Sequence, residues 1–352
     1  MKLELRETGL HCVRTVGLQF VMSRDLLKYH QWCISDPVAM SSYREAIHKT
    51  VRPGDVVLDL GAGTGILSYF ACQAGAAKVY AVEPTEIIAL IPQLAAHNGF
   101  ADRLVTIRAE SFDVELPEKA DVVIASMLGS GGIGNNMIKV VLDARQRLLK
   151  HGGAIIPRAL QPSFCPVELP EWYESRIECW EQPRMGFRGD TVRSIAVNQM
   201  GSFRIRPGSL LSDPQTFDAI PLDTVTSANI NARLCFQVER AGTLHALAGW
   251  LTVMMTGDIQ CSDSPLDAKS MPWDQLILPL EAPTCVHTGD SLEVSLRNSS
   301  VNKDVVLLWD VWIRDSMGVP RAEFHQSSFH GFLLAKDDLV RPDTVSPAAR
   351  TR

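Results

Sequence analysis

No run of about eighteen apolar residues occurs in the 352-residue chain, so no helix is expected to span a membrane. The start, Met1-Lys2-Leu3-Glu4-Leu5-Arg6-Glu7, alternates charge with leucine and lacks the apolar centre of a secretory signal. Eight cysteines are present, but no two form the C-x-x-C pair on which a zinc module or dithiol motif is built, and no metal is expected. Cysteines this scattered are the pattern of reduced thiols, which points to a cytoplasmic protein. Positive charge is not in excess. Thirty-four Lys and Arg against 40 Asp and Glu give a net charge of -6 and a pI near 5.9, which argues against a basic nucleic-acid binder. Internal repeats are also missing. What remains is 46% apolar and 21% charged, a composition and length that suit about two globular domains stable without metal or disulfide.

Between residues 51 and 157 two periodicities alternate. Val56–Leu60, Lys78–Glu83, Leu104–Glu110, Asp121–Met127 and Ala154–Pro157 are short runs rich in Val and Ile. Helical spacing fills the gaps, as at Ile66, Leu67, Phe70, Ala71 and Ala74, and at Ile138, Val141, Leu142, Arg145 and Leu148, closed by Gly152 and Gly153. Strand–helix–strand repetition with nearly continuous apolar strands predicts an α/β unit, a doubly wound parallel sheet with helices on both faces. Pro92 falls inside the helical stretch Thr85–His97 and should kink or interrupt it. From 158 to 336 the texture becomes that of an antiparallel β domain, barrel or sandwich, with strand-like runs such as His245–Thr256, Ser291–Arg297 and Val305–Ile313. Within it, 181–222 is punctuated by Pro and Gly and reads as an excursion. Residues 337–352 read as a polar, frayed tail.

The strongest local signal is Asp59-Leu60-Gly61-Ala62-Gly63-Thr64-Gly65, at the end of an apolar run and ahead of a helix. Three glycines allow a sharp turn and a close approach of ligand to backbone, and Glu83 at the next strand end is placed to accept from two ribose hydroxyls. NAD and S-adenosylmethionine sites share this spacing. An acid opening the loop favours the latter, because no pyrophosphate has to sit there. A second run, Gly129-Ser130-Gly131-Gly132-Ile133-Gly134, matches G-x-G-x-x-G, but the following strand ends Ile155-Ile156-Pro157-Arg158 with no acid. It reads as a flexible loop over the first site.

These residues resemble the protein arginine methyltransferases, together with Ala74-Gly75-Ala76, Asn98-Gly99, Glu115-Leu116-Pro117, Pro157-Arg158, Asp36-Pro37-Val38 and Ser41 to Ile47. The similarity continues through Phe236-Gln237-Val238, His245-Ala246-Leu247, Ser264-Pro265 and Met271-Pro272-Trp273, where the family usually has Thr-His-Trp, and covers about 25 to 315. The resemblance implies a class I methyltransferase (Rossmann-like) doubly wound parallel sheet at 51–157, followed by an antiparallel β-barrel substrate domain. Residues 1–50 would supply lid helices, and 181–222 a dimerisation arm, hence a homodimer. Carried over by position, Asp59, Gly61 and Gly63, with Gly65 in the same loop, would line the methionine side of S-adenosylmethionine. Glu83 would hold the ribose, Glu110, Ser111 and Phe112 would lie near the adenine, and His30 would line the cofactor. Ala39 stands where the family has a basic residue for the cofactor carboxylate; Arg44, Lys28 or Arg24 could substitute.

The catalytic loop departs from the family. Two glutamates that would pair with a guanidinium fall at Ser126 and Asn135. A guanidinium stays cationic, and burying it unpaired costs several kcal/mol. Ser and Asn can orient a nucleophile but cannot balance that charge. Three readings follow. The first is a methyltransferase for a non-guanidinium N or O acceptor, a small molecule rather than a protein, with Ser126, Ser130, Asn135 and Asn136 as polar contacts and Trp273 as an aromatic wall. The second is an arginine N-methyltransferase whose charge partner comes from elsewhere. The third is an inactive scaffold.

Overall fold

The computed structural model describes residues 26–133, 136–183, 186, 188–301 and 304–331. Two helices lead in, α1 (Leu26–Ile34) and α2 (Pro37–Thr50). Asp36 caps α2: its Oδ1 accepts from the N–H groups of Val38 (2.9 Å) and Ala39 (3.0 Å), and Pro37 occupies the first turn. The α/β unit then runs β1 (Val56–Leu60), α3 (Ile66–Gln73), β2 (Lys78–Val82), α4 (Ile91–His97), β3 (Leu104–Ile107), β4 (Ala120–Ala125), α5 (Met137–Arg147) and β5 (Leu149–Ile156). All five strands are parallel, in the order β3-β2-β1-β4-β5. β1 is buried along its whole length, as its central place requires and its apolar run, interrupted only by Asp59, foreshadows.

Pro92 does interrupt its helix, but from the front. A 3₁₀ turn, Glu86–Leu90, gives way to α4 with Pro92 in its first turn, where a missing N–H costs nothing. The glycines Gly152 and Gly153 lie inside β5 rather than beyond a helix end, because α5 stops at Arg147 and the chain turns straight into the strand.

From β6 (Ala159–Val167) onward the chain is largely antiparallel. After α6 (Pro170–Arg176) and α7 (Asp190–Ala196) come β7 (Gly201–Phe203), β8 (Gln215–Thr216), β9 (Ile220–Pro221), β10 (Asn231–Gln237), β11 (Gly242–Thr256) and β12 (Ile259–Ser262). The series ends with β13 (Gln275–Val286), β14 (Ser291–Val301), β15 (Asp304–Arg314) and β16 (Pro320–Ser327). One sheet has the order β7-β13-β11-β6-β8, with β12 on β11 and β9 on β6; the other is β10-β14-β15-β16. Phe164, Leu247 and Leu278 from the first sheet meet Phe236, Leu296 and Trp309 from the second in one apolar core.

The stretch expected as an arm, 181–222, is α-helical only in its first part. The helical excursion begins earlier, at Pro170, and ends with α7 at Ala196. Residues beyond it are woven into the large sheet: β7 pairs with Gln275–Ile277, and β8 and β9 pair with β6. Strands of two and three residues carry too little alternation to be seen among Pro and Gly.

Hydrogen bonds from Arg145 and Tyr43 tie the barrel and the helix α2, respectively, to the α/β unit. Arg145 donates to the carbonyls of Leu222 (2.9 Å) and Val225, and the Tyr43 hydroxyl, buried on α2, donates to Ala125 O at 3.0 Å. The Ser130–Gly132 turn after β4 is wedged under the barrel. A Cβ on Gly132, whose φ is +70°, would lie 2.6 Å from Leu251 Cδ1. Gly131 and Gly132 are buried, so this part of the glycine run is a packed joint and not a flexible cover.

Candidate active site

The carboxyl ends of β1, β2 and β4 converge where the strand order turns on either side of β1. Asp59, the fourth residue of β1, is fully buried; its Oδ2 accepts from Ser68 Oγ of α3 at 2.6 Å, and its Oδ1 has no partner. Burial pushes this carboxyl up to about 6, with the Ser68 hydrogen bonds opposing and the Glu83 charge adding. The N–H groups of Gly61 and Ala62 both donate to Val82 O at 2.9 Å, which folds the loop back onto β2. Gly65, at φ +87°, opens α3. Glu83, 6% exposed, accepts from Gly63 N–H through Oε2 (3.1 Å) and from Thr85 N–H (3.0 Å) and Oγ1 (2.7 Å) through Oε1.

α1 lies over this loop. The His30 ring sits where a Cβ on Gly63 would meet it at 2.7 Å, so only glycine fits beneath. Burial lowers the His30 pKa, against the pull of Glu83, and leaves the imidazole neutral at pH 7. On the same helix Trp32 packs on Trp273, ring centroids 5.9 Å apart, and Tyr29 lies 6.4 Å from Trp32. Trp273 Nε1 is buried without a partner, while its carbonyl accepts from Arg204 and, at 3.0 Å, from Gln275 Nε2.

The remaining sequence candidates divide. Glu110 is exposed and opens a 3₁₀ turn, Ser111–Asp113, after β3. Arg147 ties that turn down through the carbonyls of Ser111, Phe112 and Val114. Phe112 is 37% exposed, and Lys139 Nζ stands 5.6 Å from its ring centre. Ser126 is half-buried just past β4, and Met127 beside it reaches over Gly61, where a Cβ would meet its Cγ at 2.9 Å. Asn136 is half-buried ahead of α5. Asn135 lies outside the described residues, as do Gly134 and Arg24, and nothing is described of the Ser130 side chain. Ala39 is buried in the α2 cap; Arg44 is exposed over the Phe70 ring of α3 at 5.9 Å. Sequence reading missed Ser68, Tyr29, Trp32 and Met127. Ser68 could have been found from its place one turn into the helix that follows Asp59.

Asp263 was missed as well. It is 1% exposed, its Oδ1 accepts from Leu251 N–H at 2.7 Å, its Oδ2 has no partner, and burial raises it to about 7. Among the described residues, no group of three or more His, Cys, Asp or Glu could hold a metal, and no helix is long and apolar enough to cross a membrane.

An open parallel sheet with a glycine loop and acid after β1, a ribose-placed acid after β2 and an appended antiparallel barrel defines a class I methyltransferase with a barrel domain. Comparisons with known proteins narrow this. Residues 43–158 match the family described as ribosomal protein L11 methyltransferase, and 164–312 match the arginine methyltransferase oligomerization subdomain. The chain is 30% identical over 318 residues to protein arginine N-methyltransferase 2 of Homo sapiens, covering 84% of this chain and 73% of that protein. It is 31% identical over 292 residues to protein arginine N-methyltransferase 6 of Danio rerio, covering 78% and 82%. Two solved structures share the fold. The Trypanosoma brucei PRMT1 enzyme-prozyme heterotetrameric complex with AdoHcy has a TM-score of 0.75 at 20% identity, covering 85% of this chain and 97% of that one. Arabidopsis thaliana protein arginine methyltransferase 10 has a TM-score of 0.74 at 22% identity, covering 87% and 98%. The chain belongs to the protein arginine N-methyltransferase family. It is an S-adenosylmethionine-dependent methyltransferase.

Proposed function

We propose that the chain transfers a methyl group to a guanidinium nitrogen of arginine in a protein. One observation carries this reading: relatives 30% and 31% identical, aligned over 84% and 78% of the chain, are themselves named protein arginine N-methyltransferases. The preference for a small-molecule acceptor gives way to it.

S-adenosylmethionine supplies a methyl group already electrophilic on its sulfonium. The chain has to hold the acceptor nitrogen in line with it, within about 3–3.5 Å. Asp59, Gly61, Gly63 and Gly65 take the methionine end. The unpartnered Oδ1 of Asp59 suits a cationic group there. Glu83, whose carboxylate is held by Gly63 and Thr85, keeps one lone pair, on Oε2, for a ribose hydroxyl. The 3₁₀ turn with Glu110, Ser111 and Phe112 takes the base, and His30 closes the loop. Ser126 and Asn136 offer the acceptor neutral hydrogen-bonding groups, and Asn135, by its place in the sequence, would offer another. A guanidinium that gains a methyl sheds one proton and remains a cation. Two copies of the chain associate through the barrel domain, in keeping with the oligomerization subdomain it matches.

A second reading, a neutral small-molecule acceptor, is favoured by the Ser126 and Asn135 substitutions alone. Transfer of labelled methyl to an arginine-containing protein, to free arginine and to the small-molecule fraction of a cell extract separates the two. Label on protein arginine is expected. Label confined to a small molecule overturns the proposal, and no label with the cofactor bound favours an inactive scaffold.

A further inference from the structure

We propose that Arg204 is a positioning residue for methyl transfer, holding the loop before β13 in place from behind. This deepens the arginine reading and rests on it. The loop runs from Asp263, after β12, to the start of β13, and it carries Trp273 against Trp32 of α1, ring centroids 5.9 Å apart. α1 in turn covers the cofactor loop, since His30 lies on Gly63. Leu276, the second residue of β13, packs on Gly131 in the acceptor loop after β4. A shift of the loop is therefore passed on to both the cofactor side and the acceptor side of the site.

Pro272 brings no N–H to this loop, and the carbonyls on either side of it turn to one outside donor. That donor is Arg204, the residue after β7. Its Nη1 donates to Met271 O at 2.8 Å and to Trp273 O, and its Nη2 donates to Ser270 Oγ at 3.1 Å. A rigid guanidinium fork serves all three acceptors with little further loss of freedom, whereas a lysine ammonium is a single point on a flexible stem. The next residue backs it up. Ile205 N–H donates to Gln275 Oε1 (2.9 Å), and Gln275 Nε2 donates to the carbonyls of Asp263 (2.7 Å) and Trp273 (3.0 Å). Trp273 O thus takes one donor from each. The Arg204 charge also reaches Asp263, at the other end of the loop, and favours its ionised form. Gln275 is fully buried, but Arg204 is exposed, so its removal opens no cavity in the barrel.

The test uses the full-length chain and a short peptide carrying one arginine. Arg204→Met keeps the apolar stem and removes the fork. It should lower kcat/KM for the peptide by about 10- to 100-fold, the scale of one or two hydrogen bonds from a charged group. Calorimetric affinity for S-adenosylhomocysteine should stay within about threefold of wild type. Amide hydrogen exchange should quicken by about tenfold or more at residues 264–274 and stay as it was in β14 and β15. Arg204→Lys should recover part of the loss, and Arg206→Met, two residues on and also exposed, should lose nothing. Unchanged kcat/KM or unchanged loop exchange in Arg204→Met, or cofactor affinity falling in step with kcat/KM, overturns the positioning role and leaves the arginine reading standing. No transfer to arginine by the wild type overturns the arginine reading itself, and this role with it.

Discussion

The backbone N–H of Gly63 donates to Oε2 of Glu83 at 3.1 Å, so the glycine loop after β1 and the acid after β2 form one hydrogen-bonded unit. The other carboxylate oxygen takes two donors from Thr85, and the side chain is thereby aimed before any ligand arrives. A pre-aimed carboxylate avoids the entropy of ordering a flexible glutamate on binding.

Glu83→Ala removes that acceptor and leaves Gly63 N–H without its partner. Binding of S-adenosylhomocysteine, measured by calorimetry, should weaken by about 10- to 100-fold, the scale of one or two hydrogen bonds to a charged group. Unchanged affinity would mean that the ligand does not lie across β1 and β2.

Asp59 should make cofactor binding pH-dependent. With burial holding its free pKa at about 6, the carboxyl is ionised above that and protonated below. A cationic ligand group favours the ionised form, so affinity should be full at pH 7–8 and fall as pH drops through about 6, by up to about tenfold per unit. Asp59→Asn should bind weakly at every pH and show a flat profile.

Most of the α/β unit could be read in advance because buried parallel strands are nearly continuous apolar runs, as Val56–Leu60 shows with Asp59 its one polar residue. Glycine placement at Gly61, Gly63 and Gly65 was equally legible, since only positive φ explains three such residues in one turn. Other features depend on contacts far apart in sequence. Nothing local to Gly131 or Gly132 says that Leu276 and Leu251 press on them, so the run looked like a loop. Nothing near Trp32 in the sequence points to Trp273, more than two hundred residues away, as its neighbour. β7, β8 and β9 escaped because their pairing is imposed by β13 and β6.

Asp263 should oppose stability at neutral pH. Its folded pKa of about 7 lies above the ordinary 3.8, so between these values the folded chain holds a proton that the unfolded chain releases. Stability from this group is therefore lost as pH rises from about 4 to about 7. Asp263→Asn keeps an oxygen for Leu251 N–H and removes the ionisation. Its Tm relative to wild type should climb between pH 5 and pH 8, by several degrees. A pH-independent difference would show that Asp263 does not titrate there.

Gly132→Ala tests the joint between the two domains. The substitution places an L-residue at φ +70° and drives its Cβ to 2.6 Å from Leu251 Cδ1, with Leu251 itself 1% exposed and unable to swing into solvent. Left-handed backbone alone costs about 1–2 kcal/mol, and overpacking adds about 1–3 kcal/mol. Gly152→Ala is the control: its φ of +76° is equally unfavourable, but no atom lies within 4 Å of the new methyl. Thermal unfolding should show the Gly132 variant several degrees below the Gly152 variant. The Gly132 change should also lower methyl transfer, because the turn it disturbs follows directly on Ser126 and Met127. Equal losses of Tm in the two variants would mean that the glycine turn yields to the barrel, and that the acceptor loop is not held by it.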